Sequence, residues 1–217
     1  MIKKIQKADR KQTYAEEVAN SISHGIGFVG ALIAAPFLIF HAATNGDALT
    51  VIGASVFITS AIILYFSSAI YHATQRDDLK QRLRILDHMA IFLLIAGTYT
   101  PFTLGVLRDS VGWILFGLVW GIAIGGIILK LVAGVKYPKL STFIYLGMGW
   151  LALFAAKDLW LSMPPAGIIW LILGGIAYTI GVAFYAAPKF KYTHFIWHLF
   201  VLIGTTCHFF AVLWYSV

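Results

Sequence analysis

Seven stretches of this sequence are each apolar for close to the length a helix needs to cross a bilayer, about 20 residues for roughly 30 Å of hydrocarbon. They fall at about residues 20–43, 48–73, 87–107, 110–132, 141–161, 164–187 and 192–216, and little of the 217-residue chain is left outside them. With 60% hydrophobic residues, 12% charged residues and a mean hydropathy of +0.84, the composition lies outside the range of soluble domains. These features predict an all-α membrane protein: one seven-helix transmembrane bundle over residues 1–217, with residues 1–19 as a cytoplasmic N-terminal segment. The first run follows a charged stretch, IKKIQKADRKQTYAEE, and has no convincing cleavage site, so it is expected to stay as the first helix. Cys207 is the sole cysteine, which excludes an intrachain disulfide.

Basic residues set the expected orientation. Seven spans place Lys3, Lys4, Lys7, Arg10, Lys11, Arg76, Lys80, Arg82, Arg84, Lys130, Lys136, Lys139, Lys189 and Lys191 in loops on the N-terminal side, 14 of the 16 Lys and Arg. Arg108 and Lys157 alone fall on the other side. The positive-inside rule therefore predicts a cytoplasmic N-terminus and an extracytoplasmic C-terminus, in a multi-pass protein of a bacterial cell membrane. Topology accounts for the net charge of +7, so the charge implies no nucleic-acid partner. Membrane lipid is the expected partner, met by the basic loops at its anionic headgroups.

Much of the remaining pattern is packing. Gly117, Gly121 and Gly125 recur at intervals of four in GLVWGIAIGG, a spacing that predicts close approach of another helix. Pro36 and Pro101 fall inside the first and third runs, where they are expected to kink or open the helix, while Pro138, Pro164, Pro165 and Pro188 mark loop boundaries. Trp113, Tyr137, Trp160, Tyr192, Trp214 and Tyr215 suit an interfacial aromatic belt. Lys157 and Asp158 are adjacent, hence not facing each other, and belong to the outer interface.

Ionisable groups inside membrane helices are costly, commonly ~2.5 to 3.5 kcal/mol for a central charge, so those that are kept point to function. They gather at one end. His72 ends the second run in SSAIYHAT, Asp87 opens the third in LDHMA, and His194 and His198 open the seventh in THFIWHLF. Ser68 lies one turn from His72, and the i, i+4 spacing of His194 and His198 gives them one face with about 6 Å of rise between them. Three imidazoles at one depth suit a divalent metal, with zinc favoured and a fourth position left open. Asp87 reads equally as a helix cap, and His88 beside it points about 100° away. In EEVANSISHG, Glu17, Asn20 and His24 reach the same end. There capping by Asn20 or Ser21, or a surface position for Glu17, competes with support of the metal ligands. His41 belongs to the opposite face. His208 lies roughly 15 Å deeper than His198 and reads as a cavity-lining or hydrogen-bonded core histidine.

Asn20-x-x-x-His24, Ser68-x-x-x-His72, Asp87, GTYTP at 97–101 and His194-x-x-x-His198 together resemble the hemolysin III branch of the progestin and adiponectin receptor family, in its bacterial form. The resemblance covers nearly the whole chain. It implies a seven-helix fold of opposite orientation to G-protein-coupled receptors, and an intramembrane zinc near the cytoplasmic side held by His72, His194 and His198. It also implies an acid at Asp87 associated with water at the zinc, and a serine at Ser68 beside the site. The wider superfamily is similar to alkaline ceramidases, which implies hydrolysis of a lipid amide. The expected activity is thus zinc-assisted hydrolysis of a lipid amide or ester, with Asp87 as base and Ser68 steadying developing charge. A sensor with a purely structural zinc, a pore, and a Ser68–His72–Asp87 hydrolase are the competing expectations.

Overall fold

The computed structural model describes residues 10–187 and 189–216. Lys3, Lys4, Lys7 and Pro188, which enter the sequence reading, lie outside the described residues. The chain forms α1 (Tyr14–Asn45), α2 (Ala48–Ala73), α3 (Asp77–Leu104), α4 (Gly112–Ala133), α5 (Pro138–Trp150), a 3₁₀ turn (Leu151–Ala155), α6 (Ala156–Ser162), α7 (Pro165–Tyr185) and α8 (Thr193–Tyr215), with no strand among the described residues. Taking α5, the 3₁₀ turn and α6 as one segment, seven helical segments are long and apolar enough to cross a membrane. Short connections make sequential segments antiparallel neighbours. α2 packs between α1 and α3, α4 lies on α3, α7 lies on α8, and α8 returns against α1 to close the ring.

Local signals explain the helix ends. Thr13 caps α1 through a reciprocal box with Glu16, satisfying backbone N–H groups that would otherwise be orphaned. Asp47 caps α2, accepting the Thr50 N–H at 3.0 Å, and its carboxylate also takes the Arg108 guanidinium at the far end of α3. That guanidinium, with help from Thr50, holds the Asp47 carboxyl at about 2. The pair adds to stability above the usual carboxylate range and stops adding as pH falls through about 2. Asp77 and Asp78 supply the acidic first turn of α3, complementing its dipole, and Pro138 and Pro165 start α5 and α7.

Several expectations are corrected here. α1 starts at Tyr14, so residues 14–19 are helical, and Asn20 and Ser21 lie inside the helix instead of capping it. α3 starts at Asp77, because the amphipathic stretch DDLKQRLRI extends the helix beyond its apolar part. Asp87 therefore stands in the interior of α3 and does not open or cap it. Lys80, Arg82, Arg84, Lys130 and Lys139 are helical and not in loops. Pro36 and Pro101 interrupt neither α1 nor α3. The backbone at Pro101 instead abuts Gly53 of α2, where a Cβ would lie 2.7 Å from Pro101 Cα.

The glycine stripe of α4 is the clearest revision. Gly117, Gly121 and Gly125 face outward, and a Cβ on any of them would meet nothing within 4 Å. The close approach to α3 falls on Gly126, where a Cβ would lie 2.3 Å from the Phe92 ring. That ring is fully buried and held 4.4 Å from Tyr145, centroid to centroid. Large apolar side chains such as Phe40 and Ile114 cover the outside, while Asn20, Ser68, His72 and His198 are buried, the arrangement of a bundle solvated by lipid. Gly126→Ala is expected to cost about 1–3 kcal/mol through overpacking against a ring that cannot move aside. Gly121→Ala leaves stability unchanged or slightly improved. Thermal unfolding of the two purified variants checks the contrast.

Candidate metal centre

The last turn of α2 and the first turns of α8 meet beside α1. There His72, His194 and His198 each offer a ring nitrogen, all within 4.8 Å of one another. Ring centroids lie 5.1 Å apart for His72–His194 and for His72–His198, and 4.7 Å for His194–His198. All three sequence-predicted ligands are thus brought together. His72 and His198 are almost fully buried, so water does not satisfy them.

Hydrogen bonds settle which nitrogen of His72 and of His198 is free. His72 Nδ1 lies 2.7 Å from Glu17 Oε2. A carboxylate only accepts, so Nδ1 carries the proton and Nε2 keeps its lone pair. That Nε2 is buried and has no partner among the described residues. His198 Nδ1 lies 3.2 Å from the Asn20 carbonyl and 3.0 Å from Ser23 Oγ, which itself donates to the same carbonyl at 2.8 Å. His198 therefore also donates through Nδ1 and presents Nε2 inward. His194 Nε2, like His72 Nε2, is buried with no partner among the described residues. One nitrogen from each of three rings within 4.8 Å of the others, two of the rings anchored by a donated N–H, fits a divalent ion bound by imidazole, and the anchoring acceptors are the groups that orient metal-ligating histidines.

Around this centre, Glu17 is also bridged by Lys80 Nζ at 3.1 Å, which corrects the alternative of a carboxylate on the membrane surface. Asn20 is fully buried, donates to Gln12 Oε1 at 2.5 Å and brings its amide within 3.5 Å of His72 Nδ1. The His24 ring lies flat on His198, with centroids 3.6 Å apart and planes 6° from parallel, and both its nitrogens lack hydrogen-bond partners among the described residues. Asp87 is buried within electrostatic reach of His72, and the Ser68 hydroxyl beside it meets no other polar partner at hydrogen-bonding distance. His208 stands apart, its Nε2 3.2 Å from the Leu171 carbonyl of α7, so it serves the α7–α8 seam.

Ser23 and Lys80 were missed by the sequence reading. Ser23 had a signal, a hydroxyl one residue before His24 in a span, but only the crossing of α1 past α8 gives it His198. The segment before α1 is drawn over the same end. Glu16 binds Arg10 at 2.5 Å and accepts the Tyr192 N–H at 2.8 Å, just ahead of α8. Tyr192 has φ +61°, and this backbone turn lets the α7–α8 connection enter α8 with His194 in its first turn.

Fold and site together define a multi-pass membrane protein with a buried three-histidine cluster that can hold a metal. Residues 12–209 match the family described as haemolysin-III related. The chain is 45% identical to the hemolysin-3 homolog of Bacillus subtilis (strain 168), over 94% of this chain and 96% of that one. It is 43% identical to hemolysin-3 of Bacillus cereus, over 94% and 93%. It is also 29% identical to the human monocyte to macrophage differentiation factor, over 93% and 85%. The protein belongs to the haemolysin-III-related family.

Purified protein is expected to retain about one divalent metal per chain, and His194→Ala with His198→Ala to lose it. Glu17→Gln should weaken retention roughly 10- to 100-fold by freeing the His72 ring. Metal analysis after graded chelation reads all three.

Proposed function

We propose that the protein is a zinc-dependent hydrolase that cleaves an amide or ester bond of a membrane lipid, at the cytoplasmic end of the bundle in a bacterial cell membrane. The supporting observation is that the histidine cluster has polar company a metal clasp would not need. The Asp87 carboxylate and the Ser68 hydroxyl that interacts with it are buried beside His72 and are not among the three ligands.

His72, His194 and His198 would hold the ion, and an all-imidazole ligand set favours zinc. When bound, zinc supplies a Lewis acid that polarises an acyl carbonyl and acidifies water close to it. Asp87 takes the proton from water as its oxygen adds to the acyl carbon, then returns that proton to the leaving nitrogen or oxygen as the old bond breaks. Ser68 donates its O–H to the oxygen on which negative charge develops. Glu17, Ser23 and the Asn20 carbonyl keep the imidazoles in one tautomer throughout. The apolar bundle wall takes the acyl chain, with the scissile bond just below the headgroups.

One observation favours a second reading, a sensor with a structural ion. The three histidines come from α2 and α8, and their hydrogen bonds reach α1, so a metal there also ties three helices. Asp87→Asn separates the two. In a hydrolase it keeps its metal and loses about 10²- to 10⁴-fold in turnover, read by mass spectrometry of lipid products. A fully metal-loaded wild type that yields no lipid product, and for which chelation lowers only the thermal midpoint, would sink the hydrolase and leave the clasp.

A further inference from the structure

A second polar cluster lies at the α3–α4 seam, next to the histidine centre, whose His194 is within electrostatic reach of both His88 and Arg84. Lys130 sits one turn before the end of α4, and its side chain is only 1% exposed. The two helices run antiparallel there. Gly126 meets Phe92, and Gly134 lies 3.7 Å from Ile85 on the same measure. Lys130 is midway between those glycines, so it faces the part of α3 midway between Ile85 and Phe92, at the level of His88. Lys130 and His88 are indeed within electrostatic reach of each other, and Arg84, one helical turn before His88, is within reach of both.

Two members of this cluster, Lys130 and His88, have no counter-charge among the described residues, and the one acid near the cluster, Asp87, acts within it on Arg84 alone. Among the described residues Lys130 makes no hydrogen bond or ion pair, His88 Nδ1 is buried without a partner, and no carboxylate acts on either. The His88 carbonyl is already taken by the Tyr145 hydroxyl at 2.8 Å. Asp87, the nearest acid along α3, is turned about 100° away around the helix and acts on His72 and Ser68 instead. Lysines that only anchor a span at the interface extend their ammonium into water. This one packs its stem against α3 beside two further donors, and a partly desolvated cation without an anion of its own is disfavoured.

We propose that Lys130, His88 and Arg84 form a phosphate oxyanion site at the α3–α4 seam, and that a phosphorylated membrane lipid supplies the phosphate. Lys130 gives the charge, His88 a ring N–H and Arg84 a planar guanidinium at the open side, a set matched to several acceptor oxygens on one group. Arg84 is also within reach of Asp87 and His194, so the phosphate sits next to the histidine centre. If the hydrolase proposal above holds, on which this step alone rests, the substrate is a phosphate-bearing amphiphile.

Binding is measured apart from turnover. Detergent-purified protein is titrated with phosphatidic acid, with diacylglycerol carrying the same acyl chains, and with inorganic phosphate, and both thermal midpoint and retained lipid are read, the latter by native mass spectrometry. Phosphatidic acid should raise the midpoint and be retained, and diacylglycerol should do neither. Lys130→Met is expected to weaken phosphatidic acid roughly 10- to 100-fold, the loss of a charge-assisted contact. Arg84→Gln should weaken it several-fold, and Lys130→Arg should keep it. Lys130→Met should unfold no lower than wild type without lipid, because an uncompensated charge has been replaced by an apolar chain of similar length. An effect of inorganic phosphate equal to that of phosphatidic acid upholds the oxyanion site but assigns it to a soluble phosphate. Equal retention of diacylglycerol, or undiminished phosphatidic acid binding in both Lys130→Met and Arg84→Gln, overturns it. The variant with His194→Ala and His198→Ala should still bind phosphatidic acid, so failure of the hydrolase proposal leaves this site standing.

Discussion

Hydrocarbon offers no water to a stray polar group, and the interior of this bundle is organised by that constraint. An imidazole has two nitrogens, and each must find a partner or stay unsatisfied. The Glu17 carboxylate answers for one nitrogen of His72, and the Asn20 carbonyl with Ser23 answers for one of His198. What is left over points inward from α2 and α8 to a common centre. The support residues all come from the first turns of α1, and the capping box at Thr13 starts that helix early enough to deliver them. A helix end on one side of the molecule thus decides the chemistry available on two others.

The early start of α3 has a comparable effect. Beginning at Asp77, the helix carries Arg84, Asp87 and His88 well inside its ordered length, where adjacent residues diverge by about 100°. Asp87 interacts with Ser68 and His72 of α2, while His88 lies within reach of Lys130 on α4 as well as of His194 on α8. One polar stretch of sequence is thereby divided between two clusters of different character. The first is rich in lone pairs and holds an acid. The second holds cations and donors only. Arg84 reaches toward both, so the two lie side by side at one end of the bundle.

Packing of the helices follows a different logic from the one their glycine spacing suggests. Small residues at intervals of four on α4 face away from the protein, and the close glycine approach in the middle of the α3 contact is made by Gly126 against the Phe92 ring. Gly53 against Pro101 and Gly97 against Ser60 bring α2 and α3 together, and that seam holds His72 and Asp87 at one depth. A repeat of small residues shows that a helix could be approached. Which of its faces is approached depends on the neighbour, and no neighbour is written into the repeat.

Seven apolar runs, the basic bias of the loops and the i, i+4 pair His194–His198 were fixed by residue type and order alone, because span length, charge distribution and helical phase are properties of one segment at a time. The three candidate ligands, with Asp87 and Ser68 beside them, could be named from that much, since all lie near run ends that topology puts at one level. The interior position of Asp87 was decided only by the early start of α3, and the tautomers of His72 and His198, the role of Ser23 and the placement of Lys130 against α3 only when helices distant in sequence came together. Each is a relation between two surfaces: Ser23 on α1 meets His198 on α8, and Lys130 on α4 meets the level of His88 on α3. A one-dimensional pattern records which groups a helix carries, and only packing determines which of them is left without a partner.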